Sequence, residues 1–238
     1  MEKKRFSLFA PFGANWPAIR SWLAGVIWPE NAICRCCGRI SDDGILCSRC
    51  RTALQSDGTL FRWNSEELDP GLTAYYMTPH TGVARTLILR LKHQAEACAA
   101  QPLAELLIPL PKDFSLPEDL VITWVTMPEK RRRDRFIDHG HVLAEAVARQ
   151  LNRPCRQLLL RRETHEKNQA SLKREAREAN LKNAFLPAGK ISSPVLLVDD
   201  VLTTGTTARR CAEALRAGGA DSVTVLTITR ATHLKGYP

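Results

Sequence analysis

Two adjacent carboxylates followed by a cluster of hydroxyls form the most chemically specific segment of this sequence. Asp199 and Asp200 come directly after the apolar run 194–198, and a turn around Gly205 leads into a predicted helix, 206–217. In open α/β sheets ligands bind beyond the carboxyl ends of strands, and a glycine turn that opens a helix presents backbone N–H groups to a phosphate. The carboxylates suit either ribose hydroxyls or a metal attached to the ligand. Hydroxyl donors are expected from Thr203, Thr204, Thr206 and Thr207.

Five of the eight cysteines lie within residues 34–50 and form a second chemical pattern. The pairs Cys34-x-x-Cys37 and Cys47-x-x-Cys50 are separated by nine residues, and this paired spacing directs four thiolates at one ion. We therefore predict a closed, structural zinc site. Cys36 is a surplus thiol, because its one-residue spacing from Cys34 is unusual for a ligand pair. A redox dithiol or a chance cluster is the alternative.

The composition indicates a globular protein of one or two domains. The chain has 238 residues, of which 44% are hydrophobic and 25% charged, and this balance argues against a disordered or fibrous protein. Pro11, Asn15 and Arg20 interrupt the apolar segment that a signal peptide would need, and no run approaches the ~20 apolar residues of a membrane span. We therefore expect a cytoplasmic protein without a disulfide framework.

The elements that must hold these groups follow from hydrophobic patterning. Short apolar or β-branched runs predict strands at residues 121–125, 194–198 and 221–229. Apolar residues at helical spacing predict helices at residues 82–92, 102–108, 139–151 and 206–217. The order strand, helix, strand after residue 194 implies a right-handed parallel unit. The predicted fold class is α/β with a small N-terminal appendix.

Three regions are predicted along the chain. Residues 1–33 hold six of the fifteen aromatic residues and form an aromatic-rich N-terminal helix segment. Residues 34–70 comprise the zinc-knuckle domain and a polar linker, whose turn signals include Asn64-Ser65 and Asp69-Pro70-Gly71. Residues 71–238 form the larger α/β domain.

The segment from Val195 to Thr207 resembles the 5-phosphoribosyl-1-pyrophosphate (PRPP) binding motif of type I phosphoribosyltransferases. The order of further motifs is similar to that of the ComF family, and the likeness covers the chain from about residue 28 to residue 230. These motifs are the zinc knuckles, then Leu91-Lys92-His93, then Gln169, Leu172, Arg177, Asn180 and Ala184-Phe185, and finally the PRPP motif. The resemblance implies a type I phosphoribosyltransferase-like parallel sheet with flanking helices, fused to a zinc-knuckle domain.

The resemblance also implies roles for individual residues. Asp199 and Asp200 hold the ribose hydroxyls, while the residues from Thr203 to Thr207, including Gly205, wrap the 5′-phosphate. Mg²⁺ accompanies PRPP. The basic residues that follow a predicted strand are candidates for binding pyrophosphate. The polar span from Arg161 to Phe185 is predicted to form a mobile lid. The candidates are Lys92, Lys130, Arg131, Arg132, Arg133, Arg135, Gln169 and Arg177. A solvated basic turn and a plain exposed helix are the alternatives.

The sequence departs from the family pattern in two places. Thr126-Met127-Pro128 and Arg135-Phe-Ile-Asp-His139 stand where the family has Pro-Val-Pro and Arg-Gly-Phe-Asn-Gln, in the region that meets pyrophosphate in related transferases. Thr203 stands where purine-salvage relatives carry an aspartate near the base, and this argues against a simple purine substrate. The six histidines lack metal-ligand spacing, and those outside the family pattern are interpreted as structural.

Two functions follow from these features. The first is phosphoribosyl transfer from PRPP to an unidentified acceptor. The second is a non-catalytic, PRPP-responsive factor of DNA uptake that contacts single-stranded DNA or a protein of the uptake machinery; a homodimer is left open. Residues 129–182 carry 15 basic and 8 acidic side chains, which suits a phosphate-bearing partner. Phe136 is the only aromatic there, whereas single-strand binding usually relies on aromatic stacking.

Overall fold

The computed structural model describes residues 33–41, 45–56, 63–94, 96–108, 110–111, 113–114, 116–128, 132, 137–162 and 184–231. The helices are α1 (Ser48–Ser56), α2 (Gly82–His93), α3 (Ala100–Leu106), α4 (His139–Leu151) and α5 (Thr206–Ala217). The strands are β1 (Asn64–Asp69), β2 (Leu72–Pro79), β3 (Val121–Trp124), β4 (Leu159–Arg161), β5 (Phe185–Pro187), β6 (Val195–Leu202) and β7 (Val223–Arg230).

A five-stranded sheet in the order β1-β2-β7-β6-β3 forms the centre of the described protein. The pairs β2–β7, β7–β6 and β6–β3 are parallel, while β1 joins β2 as an antiparallel hairpin. A separate two-stranded antiparallel sheet consists of β4 and β5. The carboxyl ends of β2, β7, β6 and β3 therefore meet at one edge of the main sheet, where ligands bind in such folds.

Helices cover both faces of the sheet, because its central strands are apolar on both sides. Leu196 and Val198 of β6 point into a core shared with α2, α3 and α4. Leu197 and Val225 point to the opposite face, against α5 and the β4–β5 pair. Parallel strands buried in this way are typical of α/β proteins. The predicted α/β fold class is thus confirmed.

The predicted helices 139–151 and 206–217 and the strand at 121–124 form as expected, but two predictions were wrong. β6 does not end before the acidic pair; it continues to Leu202, because Asp199 pairs with Thr227 and Leu202 with Arg230 on β7. The stretch predicted as a linker with a turn at Asn64-Ser65 is β1. An edge strand with alternate exposed residues needs few apolar side chains, and its pairing with β2 overrides the low strand propensity of the sequence.

The cysteine cluster packs directly on the larger domain. Leu46 and Leu54 belong to the same hydrophobic cluster as Leu87, Ile88 and Leu91 of α2. The predicted division at residue 70 and the aromatic-rich helix segment 1–33 stay predictions, and residues 1–32 lie outside the described part of the chain. Among the described residues, no helix has the length and apolar character of a membrane span.

Candidate functional site

The acidic pair lies at the carboxyl edge of the sheet, near the end of β6. Asp200 is 5% exposed, and Asp199 is half-buried with its Oδ1 accepting the backbone N–H of Asp200 at 2.9 Å. Burial and the neighbouring charge of Asp200 raise the pKa of Asp199, while Lys92 opposes that shift. Hydroxyl donors of a ligand would offset the cost of holding two carboxylates side by side.

Two cationic or titratable side chains approach Asp200 from different helices. Lys92, in the last turn of α2, places Nζ 2.9 Å from Asp200 Oδ2. His139, the first residue of α4, places Nε2 3.6 Å from the same oxygen. Asp138 caps α4 by accepting the His141 N–H, and its second oxygen accepts the indole N–H of Trp124 from β3. The start of α4 is therefore fixed to the sheet beside Asp200.

The hydroxyl turn after β6 depends on glycine. Gly205 has φ +74° and immediately precedes α5. A Cβ there would lie 2.9 Å from Cδ2 of Leu68 on β1. The hydroxyls of Thr204 and Thr206 lie 2.9 Å apart across the turn, which opens the N-terminus of a 12-residue helix. This is the geometry in which backbone N–H groups meet an anion.

Two arginines hold the carbonyl side of this turn. Arg209 donates from Nη1 to the Thr204 carbonyl at 2.9 Å, and from Nε to the Leu68 carbonyl and Asp69 of β1. Arg230 donates to the Thr203 carbonyl, and its Nε lies 3.1 Å from Glu66 of β1. The β1–β2 hairpin therefore supports the turn through both arginines. The carbonyls of Thr203 and Thr204 are therefore bonded to arginines on one side of the turn. The opposite side of the turn remains open to a ligand.

A cavity of about 550 Å³ lies over the acidic pair and the turn. Its wall combines groups from β2, α2, the segment after β3, α4, β4, β6 and the hydroxyl turn. The lining residues are His80, Lys92, His93, Val125, Thr126, Met127, Pro128, His139, Arg161, Asp199, Asp200, Val201, Thr203, Thr207 and Ala231. The cavity is large enough for a sugar phosphate and a second small molecule.

The structure brings together the predicted residues Lys92, Asp199, Asp200, Thr203 and Thr207 on this cavity. Thr204, Gly205 and Thr206 complete the turn beside it. Arg132 is exposed and not among the lining residues. The remaining candidates, Lys130, Arg131, Arg133, Arg135, Gln169 and Arg177, lie outside the described residues. Residues 163–183 of the predicted lid also lie outside them, while its two ends, Arg161 and Phe185, pair with each other in the β4–β5 sheet.

Several residues of the wall are not among the site residues predicted from the sequence: His80, His139, Thr126 and Arg161. Both histidines are interpreted from the sequence as structural. Thr126 and His139 are singled out there only in the segments that depart from the family pattern, and Arg161 only as the start of the predicted lid. Thr126 is 5% exposed, and its hydroxyl lacks a hydrogen-bond partner among the described residues. A strand prediction for 72–79 would have placed His80 at the carboxyl edge of the sheet, since it directly follows β2.

Four cysteines come together in the N-terminal module, as their spacing predicts. The Sγ atoms of Cys34, Cys37, Cys47 and Cys50 all lie within 4.8 Å of one another. Cys37 and Cys47 are 3.7 Å apart at Sγ. A tetrahedral zinc ion with Zn–S bonds of ~2.3 Å requires sulfur atoms about 3.8 Å apart, so the cluster fits zinc. Cys36 does not belong to this group of four.

The protonation of these thiols also suits a cation. Burial raises the pKa of Cys34, but backbone N–H groups of Cys37, Cys47 and Cys36 outweigh it and lower the value to about 6. Burial and hydrogen bonds to the neighbouring thiols raise the pKa of Cys50. The lowered pKa of Cys34 favours a thiolate at this position, and thiolates are the form of cysteine that binds metal ions.

Comparison with known proteins finds one matching domain family and one similar protein. Residues 138–236 match the model of the phosphoribosyl transferase domain family. The chain is 28% identical over 216 residues to Competence protein F of Haemophilus influenzae, covering 85% of this chain and 92% of that protein. These matches and the cluster of four cysteines confirm the resemblance to ComF-type proteins. With the parallel sheet, the family match confirms a phosphoribosyltransferase-like fold.

The solved structures that match this chain include phosphoribosyltransferases. Adenine phosphoribosyl transferase from Trypanosoma brucei is 18% identical over 83% of this chain and 72% of its own, with a TM-score of 0.39. Orotate phosphoribosyltransferase from Aeropyrum pernix is 19% identical over 76% of this chain and 81% of its own, with a TM-score of 0.37. An allosteric regulatory enzyme of purine biosynthesis is 20% identical, with a TM-score of 0.41; the match covers 59% of this chain and 30% of that enzyme's length.

The glycine requirement of the turn is testable by substitution. Gly205→Ala introduces a Cβ at positive φ and against Leu68, so we expect the free energy of unfolding to fall by about 1–3 kcal/mol. Gly189→Ala is the matched control, because a Cβ there meets no atom within 4 Å. Chemical denaturation of the two variants measures the difference. Equal stabilities would contradict the described turn.

The metal site is testable by elemental analysis. We expect about one zinc per chain, loss of that zinc in Cys47→Ser, and a lower melting temperature after chelation, because metal binding is coupled to folding of the module. Cys36→Ser is the control and should retain the metal, since Cys36 lies outside the group of four. A metal-free wild-type protein with an unchanged melting curve would refute the site.

Proposed function

We propose that this protein binds PRPP in the cavity over the acidic pair and transfers its phosphoribosyl group to an acceptor. The single observation that carries the proposal is the meeting of two carboxylates and a glycine turn at the carboxyl edge of a parallel sheet. Asp199 and Asp200 accept hydrogen bonds from the ribose hydroxyls. The residues from Thr203 to Thr207 enclose the 5′-phosphate at the start of α5.

Transfer displaces pyrophosphate from the anomeric carbon of the ribose. Positive charge develops on the sugar and negative charge on the leaving group, so the protein acts by holding both ends and stabilising the charges that develop. Lys92 lies beside Asp200 on the cavity wall and is a candidate for the pyrophosphate side. The basic segment from Lys130 to Arg135 is the other candidate, and it follows Pro128, which also lines the cavity.

Mg²⁺ belongs to the proposed substrate complex and neutralises charge on the pyrophosphate when bound. The residues of the cavity fit this arrangement, because Asp199 and Asp200 supply oxygen ligands and Thr126 supplies a buried hydroxyl without a partner among the described residues. A buried hydroxyl of this kind usually bonds to a ligand or to water. We assign it to the leaving group.

Zinc is proposed to be structural. The four thiolates close the coordination shell, and no open position remains for a substrate. The module packs on α2, whose last turn carries Lys92. Zinc therefore supports the phosphoribosyl site indirectly, by holding the helix that delivers this lysine.

PRPP binding is testable by thermal shift. At about 100 times the dissociation constant, PRPP with Mg²⁺ adds about 2.7 kcal/mol. For a chain of this size this raises the melting temperature by about 5–11 °C. Asp199→Asn with Asp200→Asn should abolish the rise, because the ribose hydroxyls lose their charged acceptors. The control double variant, Glu213→Gln with Asp221→Asn, removes the same amount of charge from exposed positions. It should retain the rise in melting temperature with PRPP. An unchanged wild-type melting curve at millimolar PRPP would refute the site.

A second candidate function is binding of single-stranded DNA, with PRPP as a regulator. It is supported by the net positive charge of the cysteine module: residues 33–56 carry four arginines (Arg35, Arg39, Arg49 and Arg51) against two aspartates (Asp42 and Asp43). The name of the Haemophilus influenzae relative, Competence protein F, agrees with this candidate. The basic segment 129–182 is the second proposed contact.

The DNA candidate is testable by its salt dependence. Neutralised phosphates release counterions, so the logarithm of the affinity for single-stranded DNA should fall with the logarithm of the salt concentration, with a slope of about −0.7 per phosphate contacted. Arg39→Gln with Arg49→Gln, both exposed, should weaken binding and reduce that slope. Fluorescence anisotropy with a labelled oligonucleotide measures both. Binding that is absent, or independent of salt and of these arginines, would exclude this function for the module.

A further inference from the structure

His80 occupies a defined position on the wall of the cavity. It directly follows β2, and its backbone N–H donates to the Arg230 carbonyl of β7 at 2.9 Å. Its ring Nδ1 lies 2.9 Å from the hydroxyl of Thr229, a fully buried residue. That hydroxyl in turn lies 3.3 Å from the main-chain carbonyl of Asp200. Two hydrogen bonds therefore connect the imidazole to the backbone of the acidic pair.

These two bonds determine the tautomer of the ring. The Asp200 carbonyl can only accept, so the single hydroxyl proton of Thr229 is donated to it. The Thr229 oxygen must then accept from His80, which places the imidazole proton on Nδ1. In the neutral ring Nε2 consequently carries a lone pair, and it has no hydrogen-bond partner among the described residues. His80 lines the cavity, so this lone pair is available to a ligand.

The charges around the ring keep it neutral. Burial lowers the pKa of His80 below its ordinary value, and the positive charges of Lys92 and Arg85 on α2 lower it further, against a smaller opposing effect of Asp200 on β6. A neutral imidazole at physiological pH accepts a proton, whereas an imidazolium cannot.

Four other titratable groups on the described cavity wall already have a partner or a proposed role, and the remaining histidine there, His93, is exposed to solvent. Lys92 is paired with Asp200, and His139 faces the same carboxylate. The carboxylates of Asp199 and Asp200 are assigned to the ribose. Thr203, on the hydroxyl turn, offers only a weakly basic hydroxyl.

We propose that His80 is the general base that activates the acceptor, and that the acceptor is a molecule that attacks through an N–H or O–H group. This inference rests on the proposed phosphoribosyl transfer. The acceptor atom forms a bond to the anomeric carbon of PRPP as the bond from that carbon to the pyrophosphate oxygen breaks. Pyrophosphate leaves with the bonding electron pair, and the acceptor's proton passes to Nε2 of His80. Thr229 is a positioning residue, because it fixes the tautomer through Nδ1.

The proposal is tested with the full-length protein by pyrophosphate release from PRPP and Mg²⁺, with water and hydroxylamine as acceptors. His80→Asn keeps an amide group near Thr229 but removes Nε2, so the rate should fall about 10²–10⁴-fold while the PRPP-induced thermal shift is retained. His141→Asn, at a half-buried histidine that does not line the cavity, should leave the rate unchanged. Thr229→Val should slow the reaction and alter its dependence on pH, since the tautomer is no longer fixed.

Imidazole nitrogen NMR provides a readout that does not depend on turnover. We expect His80 to be protonated at Nδ1 when neutral, with a titration midpoint below that of an ordinary histidine. A ring protonated at Nε2, an unaltered rate in His80→Asn, or no pyrophosphate release from the wild type would each overturn the role of His80. A retained PRPP thermal shift in any of these cases would leave PRPP binding standing, whereas its absence would refute the proposed function itself.

Discussion

The burial of the Asp200 carboxylate at the edge of the sheet is the constraint on which the rest of the site depends. A carboxylate that is 5% exposed is costly unless cations and donors compensate it. Lys92 supplies that compensation from the end of α2, and His139 approaches from the start of α4. Both helices must therefore end or begin at this point of the sheet. The cysteine module packs against α2, so it contributes to the position of Lys92.

The hydroxyl turn depends on a second set of interactions, between carbonyl groups and arginines. A turn that offers its N–H groups to an anion has carbonyls that must bond elsewhere. Arg209 and Arg230 donate hydrogen bonds to these carbonyls. Each arginine is oriented by an acidic side chain of β1: Arg209 by Asp69 and Arg230 by Glu66. The polar sequence of β1 is explained by these contacts. Its acidic residues orient the two arginines, and the arginines bind the carbonyls of the hydroxyl turn.

The two ends of the cavity differ in charge. Lysine and histidine side chains face the acidic pair, whereas the hydroxyl turn offers uncharged donors. His80 lies on the same wall, where burial and the charges of Lys92 and Arg85 lower its pKa, and Thr229 links its ring to the main-chain carbonyl of Asp200. A neutral ring between cations and carboxylates is a stable arrangement, because it adds no charge to an already charged cavity.

The sequence by itself determined the local parts of this protein. The acidic pair, the glycine turn, helices α4 and α5 and the paired cysteines are set by short-range spacing, and each forms where the spacing predicts. Tertiary structure alone decided that a polar stretch becomes β1, that β6 continues through the acidic pair, and that His80 and His139 reach the cavity. The reason is physical: edge-strand pairing and a wall assembled from several elements depend on contacts between residues far apart in the chain, which no local pattern records.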